Sequence, residues 1–500
     1  MIEHLTSDRF RENARAAVRD DVLRGALRKA TDLFAERRGA AVADMSDWEE
    51  LRERGRAIKA QTLARLDHYL EQFVAKAEAL GVRVHWARDS REACRIVMDL
   101  AREKGASTVV KSKSMTTEEI GLNQAMEQAG LHPVETDLGE WIIQLAGEKP
   151  SHIIAPAIHK TKEQIADLFA EKLDVARTDD IQELTLTARG ILRRSFAEAD
   201  LGISGVNFAV AETGSILILE NEGNIRMTTS LPRVHLAVMG IEKVIPEFAD
   251  LEVFLRLLPR SGTGQHLSSY QSILTGPVGP EAEGPRELHI LLLDNGRSPM
   301  LDEPVTRQSL ACIRCGACLN VCPVYKQVGG HAYGSVYPGP IGAVITPQLA
   351  GLDAARELPF ASTLCGACRD ACPVKIDIPA LLLHLRSRIV TSSAAARGER
   401  RAERLAFRAW AFVAQSPWRY RFAARVARAL APLASSKGGR GPLGRLAQRA
   451  VPALGAWSAA RELRPLARRS FRELWSRDLA GARGPGPEPG REPECEEDRP

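Results

Sequence analysis

The chain has 500 residues, 44% of them hydrophobic, and a formal net charge of +5; that apolar content excludes a disordered chain and supports more than one structural unit. Nine cysteines are too few for a disulfide scaffold, and seven of them fall between Cys312 and Cys372, a clustering of thiols that fits a reducing, cytoplasmic setting. No apolar run follows the first charges, and no uninterrupted apolar stretch of about 18 residues occurs, so neither a secretory leader nor a membrane span is expected.

The charge is unevenly spread. Residues 391–480 carry 19 Arg and Lys against 5 Asp and Glu, a surplus of +14, and the last twenty residues carry −3, which leaves about −6 for residues 1–390. A weakly acidic body with a basic arm suits docking onto an acidic partner, or peripheral attachment to the inner face of a membrane. Nucleic acid is not expected, because no zinc-finger or Gly-rich RNA-binding signature accompanies the arginines.

In chain order, residues 9–80 read as helical, with Leu63, Leu66, Leu70 and Phe73 at spacings of three and four. After Gly81, Val82, Val84 and Trp86 alternate as in a strand, and a helical stretch follows in which Cys94 reads as a buried core thiol. From Ala106 the pattern is α/β. A short run, Thr108–Val110, leads to Lys111 and Lys113, and a second, Ser151–Ile158, to His159 and Lys160. Polar residues at the ends of parallel strands gather at a ligand mouth, so these cations are candidates for holding an anion; a solvated, capped loop is the equal alternative. Strands are expected at Val206–Val210, Ser215–Leu219, Val234–Val238 and Leu288–Leu293, with Gly214 and Gly223 in turns. Arg226, between them, is a candidate for a carboxylate or phosphate, against a plain sheet-edge role. Ser272–Glu287 reads as a long connection. The fragment at Gly262 and Gly264 lacks the context of a nucleotide-binding loop.

The cysteines carry the strongest signal. Cys312, Cys315, Cys318 and Cys322, followed by Pro323, have the C-x2-C-x2-C-x3-C-P spacing of two-cluster bacterial ferredoxins. Zinc is disfavoured, since it prefers two separated CxxC pairs. A partial repeat follows as Cys365, Cys368 and Cys372 with Pro373, and Ser362 stands where Cys312 stands in the first copy. In the crossed wiring of such proteins, Cys312, Cys315, Cys318 and Cys372 hold one cluster. Cys322, Cys365 and Cys368 hold the other, with Ser362 as a non-cysteine ligand or with a three-iron centre. Between the copies lie a loop, GGHAYGSVYPGPIG, and an expected helix near Pro347–Glu357. After Pro379 a packing helix leads into the basic arm with Phe407, Trp410, Phe412, Trp418, Tyr420, Phe422, Trp457 and Trp475. Aromatics among arginines suit a protein or membrane interface. Residues 481–500 read as disordered and Cys495 as an incidental thiol.

The segments KSKSMTTEEIGLN, AETGSILILENEGN, SSYQSILTGP, ACIRCGACLNVCPVY and TLCGACRDACPVKI, in this order, resemble the lactate utilization protein B family over nearly all of residues 1–480. The resemblance implies an N-terminal helical region (1–80), then an α/β LUD domain (81–298) similar in fold to the ribose-phosphate isomerase and CoA-transferase-like group. An α-helical dicluster ferredoxin-type domain (299–390), a C-terminal region (391–480) and a tail (481–500) would follow. It implies two [4Fe-4S] clusters on the seven cysteines named above. It further implies electron transfer during oxidation of L-lactate to pyruvate, alongside a second cysteine-rich iron-sulfur subunit and a small LUD-domain subunit. The alternative is a LUD domain that itself engages a small carboxylate or phosphorylated ligand through Lys111, His159 or Arg226, with the clusters as electron sink.

Overall fold

The computed structural model describes residues 5–279, 281–392, 401–434, 467 and 469–479. Helices Phe10–Ala17, Asp21–Ala43, Trp48–Ala64 and Leu66–Ala79 open the chain; Leu63 lies at the end of the third, and Leu66, Leu70 and Phe73 share the buried face of the fourth. Ten strands follow among the described residues: β1 Arg83–Ala87, β2 Thr108–Lys111, β3 His132–Glu135, β4 Leu201–Gly205, β5 Phe208–Val210, β6 Ser215–Glu220, β7 Val234–Gly240, β8 Val244–Ile245, β9 Tyr270–Leu274 and β10 Glu287–Leu293. Six form a sheet of order β1-β10-β7-β4-β2-β3, parallel throughout. The other four form a mixed sheet of order β8-β5-β6-β9.

The inner strands of the large sheet are apolar on both sides because both faces are covered. Along β10, Leu288, Ile290 and Leu292 pack with Phe73 of the fourth helix and Ile216 of the small sheet. Leu291 and Leu293 point the other way, onto Val97 and Leu100 of helix Ser90–Glu103. A third cluster, with Val110, Trp141, Phe169 and Phe196, is built by helices Leu138–Ala146, Lys162–Leu173 and Ile181–Glu198. Cys94 is half-buried rather than fully buried; it packs on the edge of the Val97 cluster with its Sγ 3.5 Å from the Ile120 carbonyl.

Three expectations about elements need correction. Ser151–Ile158 is an irregular segment, not a strand. Its backbone is committed elsewhere, with the Tyr325 hydroxyl donating to the Ser151 carbonyl at 2.7 Å and the Ser151 N–H donating to the Pro156 carbonyl at 2.9 Å. The helix expected near Pro347–Glu357 runs instead over Gly339–Ala350, from Pro340 in its first turn to Gly351 at φ +97°. The connection Ser272–Glu287 begins inside β9, which adds antiparallel to β6.

The cysteine region folds onto the N-terminal helices rather than standing apart. Arg52 of the third helix donates to the Cys372 carbonyl at 2.8 and 3.1 Å, and Arg38 of the second donates to the Ala371 carbonyl at 3.2 Å. Leu27 belongs to the same core as Tyr325, Tyr333 and the cysteines. Residues 1–393 therefore cluster as one unit and residues 394–500 as another. In the second unit, helices Arg401–Ala414 and Pro417–Ala434 leave Phe407, Trp410, Trp418 and Phe422 exposed; Trp457 and Cys495 lie outside the described residues. No helix among the described residues is long and apolar enough to cross a membrane.

Candidate metal centre and its adjoining cleft

The two cysteine loops share one backbone conformation. Arg314 at φ +60° precedes Cys315 and Gly316 at +75° follows it; Leu364 at +56° precedes Cys365 and Gly366 at +88° follows it. Each loop then enters a short helix, Ala317–Asn320 or Ala367–Ala371. Two left-handed residues around a cysteine turn its side chain inward, which is why glycine occupies one of each pair. Ser362 reproduces the role of Cys312 within this repeat. The Arg314 N–H donates to Cys312 Sγ at 3.5 Å, and the Leu364 N–H donates to Ser362 Oγ at 3.1 Å.

Cys312, Cys315 and Cys318 from the first loop and Cys372 from the second line a single cavity, closed by Ile153, Ile341, Val374, Ile376 and Ile378. Burial pushes the Cys372 thiol up to about 11 and raises Cys315 and Cys318 further, with the neighbouring thiolates adding to the effect. Four thiols converging on an apolar hole resist ionisation unless a cation is there to take the charge, so this donor set fits a thiophilic metal cluster. Cys322, Cys365 and Cys368 form a second electrostatic group: burial, and after it the charge of Cys322, pushes Cys368 up to about 12, and burial with a smaller contribution from Cys365 raises Cys322. Backbone N–H groups of Tyr325 and Ile376 donate to Cys322 and Cys372 sulfurs at 3.5 and 3.3 Å.

Against the first loop lies a cleft of about 280 Å³. It opens where parallel sheets usually place ligands, beyond the carboxyl ends of β2 and β4, at Lys113, Ser114 and Gly205. Ile153, Arg314 and Cys315 line both this cleft and the cysteine cavity. Helix Leu251–Gly262 reaches the same place through its last residue, and a Cβ at Gly262 would lie 3.0 Å from the Cys315 carbonyl oxygen.

Lys111, His159 and Arg226 are not brought together, and none lines this cleft. Lys111 is fully buried between Glu135 at 2.7 Å and Glu118 at 3.1 Å, and these carboxylates raise its pKa. His159 and Lys160 both hold Glu148, at 2.7 and 2.6 Å, and His331 stacks edge-on to His159. Arg226 is exposed, with its guanidinium 5.4 Å over the Tyr270 ring. Lys113, by contrast, lines the cleft and donates to the Ile153 carbonyl. Sequence reasoning missed Lys243 and Arg314 as cleft residues. Arg314 sits inside the cysteine motif and could have been flagged, whereas Lys243 follows β7 in a 3-10 turn that carries no motif.

A buried ionic chain joins the two regions. Arg297, after β10, contacts Glu119 at 2.9 Å and Glu242 at 2.6 Å. Glu242 also meets Arg314 at 3.5 Å, and the Tyr337 hydroxyl donates to Glu119 at 2.7 Å. Arg297 holds the Glu242 carboxyl down at about 2 despite its burial.

Residues 70–293 match the LUD domain and residues 308–376 the 4Fe-4S dicluster domain. Fold and site together define an iron-sulfur protein in which an α/β LUD domain precedes a helical ferredoxin-like region. Residues 386–479 match the C-terminal region of lactate utilisation protein B. Lactate utilization protein B of Bacillus pumilus is 47% identical over 443 residues, covering 87% of this chain and 92% of that protein. Its counterpart in Macrococcus caseolyticus is 48% identical over 392 residues (78% and 82%), and that in Bacillus cytotoxicus 43% over 479 (95% and 98%). The chain belongs to the lactate utilization protein B family. A solved DUF162 family protein from Deinococcus radiodurans aligns over 46% of this chain and 98% of its own length at 13% identity with a TM-score of 0.26, too slight a likeness to carry an argument.

Proposed function

We propose that this chain is an electron-transfer subunit of a lactate-oxidising system and carries two [4Fe-4S] clusters. The observation that supports it most is that Cys372 of the second loop lines one cavity with Cys312, Cys315 and Cys318 of the first, the crossed arrangement of two-cluster ferredoxins. Thiolates of these four hold one cluster; Cys322, Cys365, Cys368 and the Ser362 oxygen hold the other. When bound, such clusters supply one-electron relay. The protein's part is to exclude water with Ile153, Ile341 and Val374 and to aim backbone N–H groups at the sulfurs, which stabilises their negative charge.

Lactate enters through the name that the relatives carry. A second cysteine-rich iron-sulfur subunit and a small LUD-domain subunit are the proposed partners. The exposed aromatics among the arginines of residues 405–429 form a docking face for them, or for an anionic membrane surface.

Anaerobic purification with iron and sulfide counting tests the metal assignment. About eight irons per chain are expected. Ser362→Ala should lower this by about one and produce a three-iron EPR signal, while Ser362→Cys restores the full count. Stoichiometric zinc, or a Ser362→Ala chain with unchanged iron and EPR, overturns the corresponding assignment.

A further inference from the structure

We infer that the cleft beside Cys315 is a binding site for a small carboxylate, held by Lys243 and Arg314. Lys243 lines it, is only 8% exposed, and among the described residues makes no hydrogen bond or ion pair. A lysine buried this deeply without a partner is costly, and a ligand anion in the cleft would offset that cost. Arg314 also lines the cleft. Its guanidinium rests 4.8 Å over the Tyr337 ring and reaches Glu242 at 3.5 Å through one nitrogen, while the other, Nη1, is buried without a hydrogen-bond partner.

Glu242 does not serve these cations fully. Glu242 is taken by Arg297 at 2.6 Å, leaving the longer contact to Arg314. Two cationic side chains with unused donors thus share one wall, next to the sulfur-bearing loop.

The rest of the lining selects the ligand. Asp137, Glu220 and Glu222 stand in the same cleft, so a multiply charged phosphate would meet repulsion that a single carboxylate escapes by facing the cations. The volume, about 280 Å³, lies at the low end for ligand pockets and excludes a dinucleotide. Asn207 offers a further polar contact: its Oδ1 accepts from the Leu219 N–H at 2.8 Å, which leaves the amide nitrogen for an oxygen on the ligand. A short hydroxy or keto acid such as L-lactate or pyruvate fits this combination of charge, size and polarity. The site deepens the proposed function, on which its redox meaning rests, by placing the carboxylate beside a cluster ligand; binding itself requires only the cleft.

The test is calorimetric titration of the anaerobically purified full chain with L-lactate, pyruvate and, separately, inorganic phosphate. Saturable binding of either carboxylate is expected, with at least tenfold weaker binding in Lys243→Met. That variant removes an unpaired buried charge and should fold at least as well as the parent. Asn207→Asp keeps the acceptor for Leu219 and adds a negative charge, and should weaken carboxylate binding as well. Binding of phosphate in preference to both carboxylates, no binding of either carboxylate, or unchanged affinity in both variants overturns the inference. Iron content on the same samples separates the two readings. A loaded chain that binds no carboxylate defeats the cleft alone, and an iron-free chain that binds pyruvate through Lys243 defeats the cluster reading alone.

Discussion

Replacing Arg297 by methionine tests how the α/β domain and the cysteine loops are tied together. Arg297, Glu119 and Glu242 are each at most 1% exposed as side chains. The substitution keeps most of the aliphatic volume but strands two carboxylates. Glu119 retains the Asn295 amide and the Tyr337 hydroxyl, both at 2.7 Å, while Glu242 retains the 3.5 Å contact to Arg314. Breaking a buried pair by removing one partner costs about 3–5 kcal/mol, and the surviving hydrogen bonds to Glu119 argue for about 4 rather than double that figure. The loss should also depend on pH. In the parent, Glu242 ionises at about 2, below its unfolded value, so its contribution is present above that value and is lost only in strong acid. Without Arg297, burial raises the same carboxyl, the folded state gains protons first, and the penalty shrinks as pH falls from 8 to 5. Anaerobic urea denaturation, followed by tryptophan fluorescence and cluster absorbance, measures both effects. A cost below about 1 kcal/mol, or one constant across that pH range, would refute the reasoning.

Three further outcomes follow from the structure. Burial lowers His235 to about 3 and His289 to about 4, so the unfolded chain takes up their protons first; each should remove about 2 kcal/mol of stability between pH 7 and pH 5, and His235→Gln should flatten that slope in denaturation curves. Arg52→Met deletes donors to the Cys372 carbonyl and should cost about 1.5–3 kcal/mol, with faster loss of iron to a chelator; an unchanged loss rate would contradict the gripping role given to the third helix. A Cβ at Gly330 would collide with the Ser151 carbonyl, so Gly330→Ala should lower the yield of folded, iron-loaded protein as read by iron-to-protein ratio.

The cysteine repeat was legible because ligand geometry constrains spacing directly, down to the correspondence of Ser362 with Cys312. Strands such as β6, β7 and β10 were legible for a different reason: burial on both faces writes them as continuous apolar runs. Leu201–Gly205 was missed because two glycines and a serine disguise a central strand, although a Cβ at Gly205 would meet Ser114 Oγ at 2.7 Å, so glycine is needed there. Ser151–Ile158 misled in the opposite sense. Its apolar residues, Ile153 above all, serve the cysteine cavity instead of a sheet, and composition does not distinguish those uses. The cleft was half legible. Lys113 was flagged as a strand-end cation, but Lys243 and Arg314 meet only after β7 and the cysteine loop are folded together.

The grip of the first helices on the last cysteine loop has a consequence for biosynthesis. Arg38 and Arg52 leave the ribosome more than three hundred residues before the Ala371 and Cys372 carbonyls they bind, so the parallel sheet can assemble during translation while its flanking helices wait for their partners. The four-thiol cavity is then complete only once Cys372 has emerged, and a nascent chain stalled before that point exposes both an open thiol nest and the helices meant to seal it.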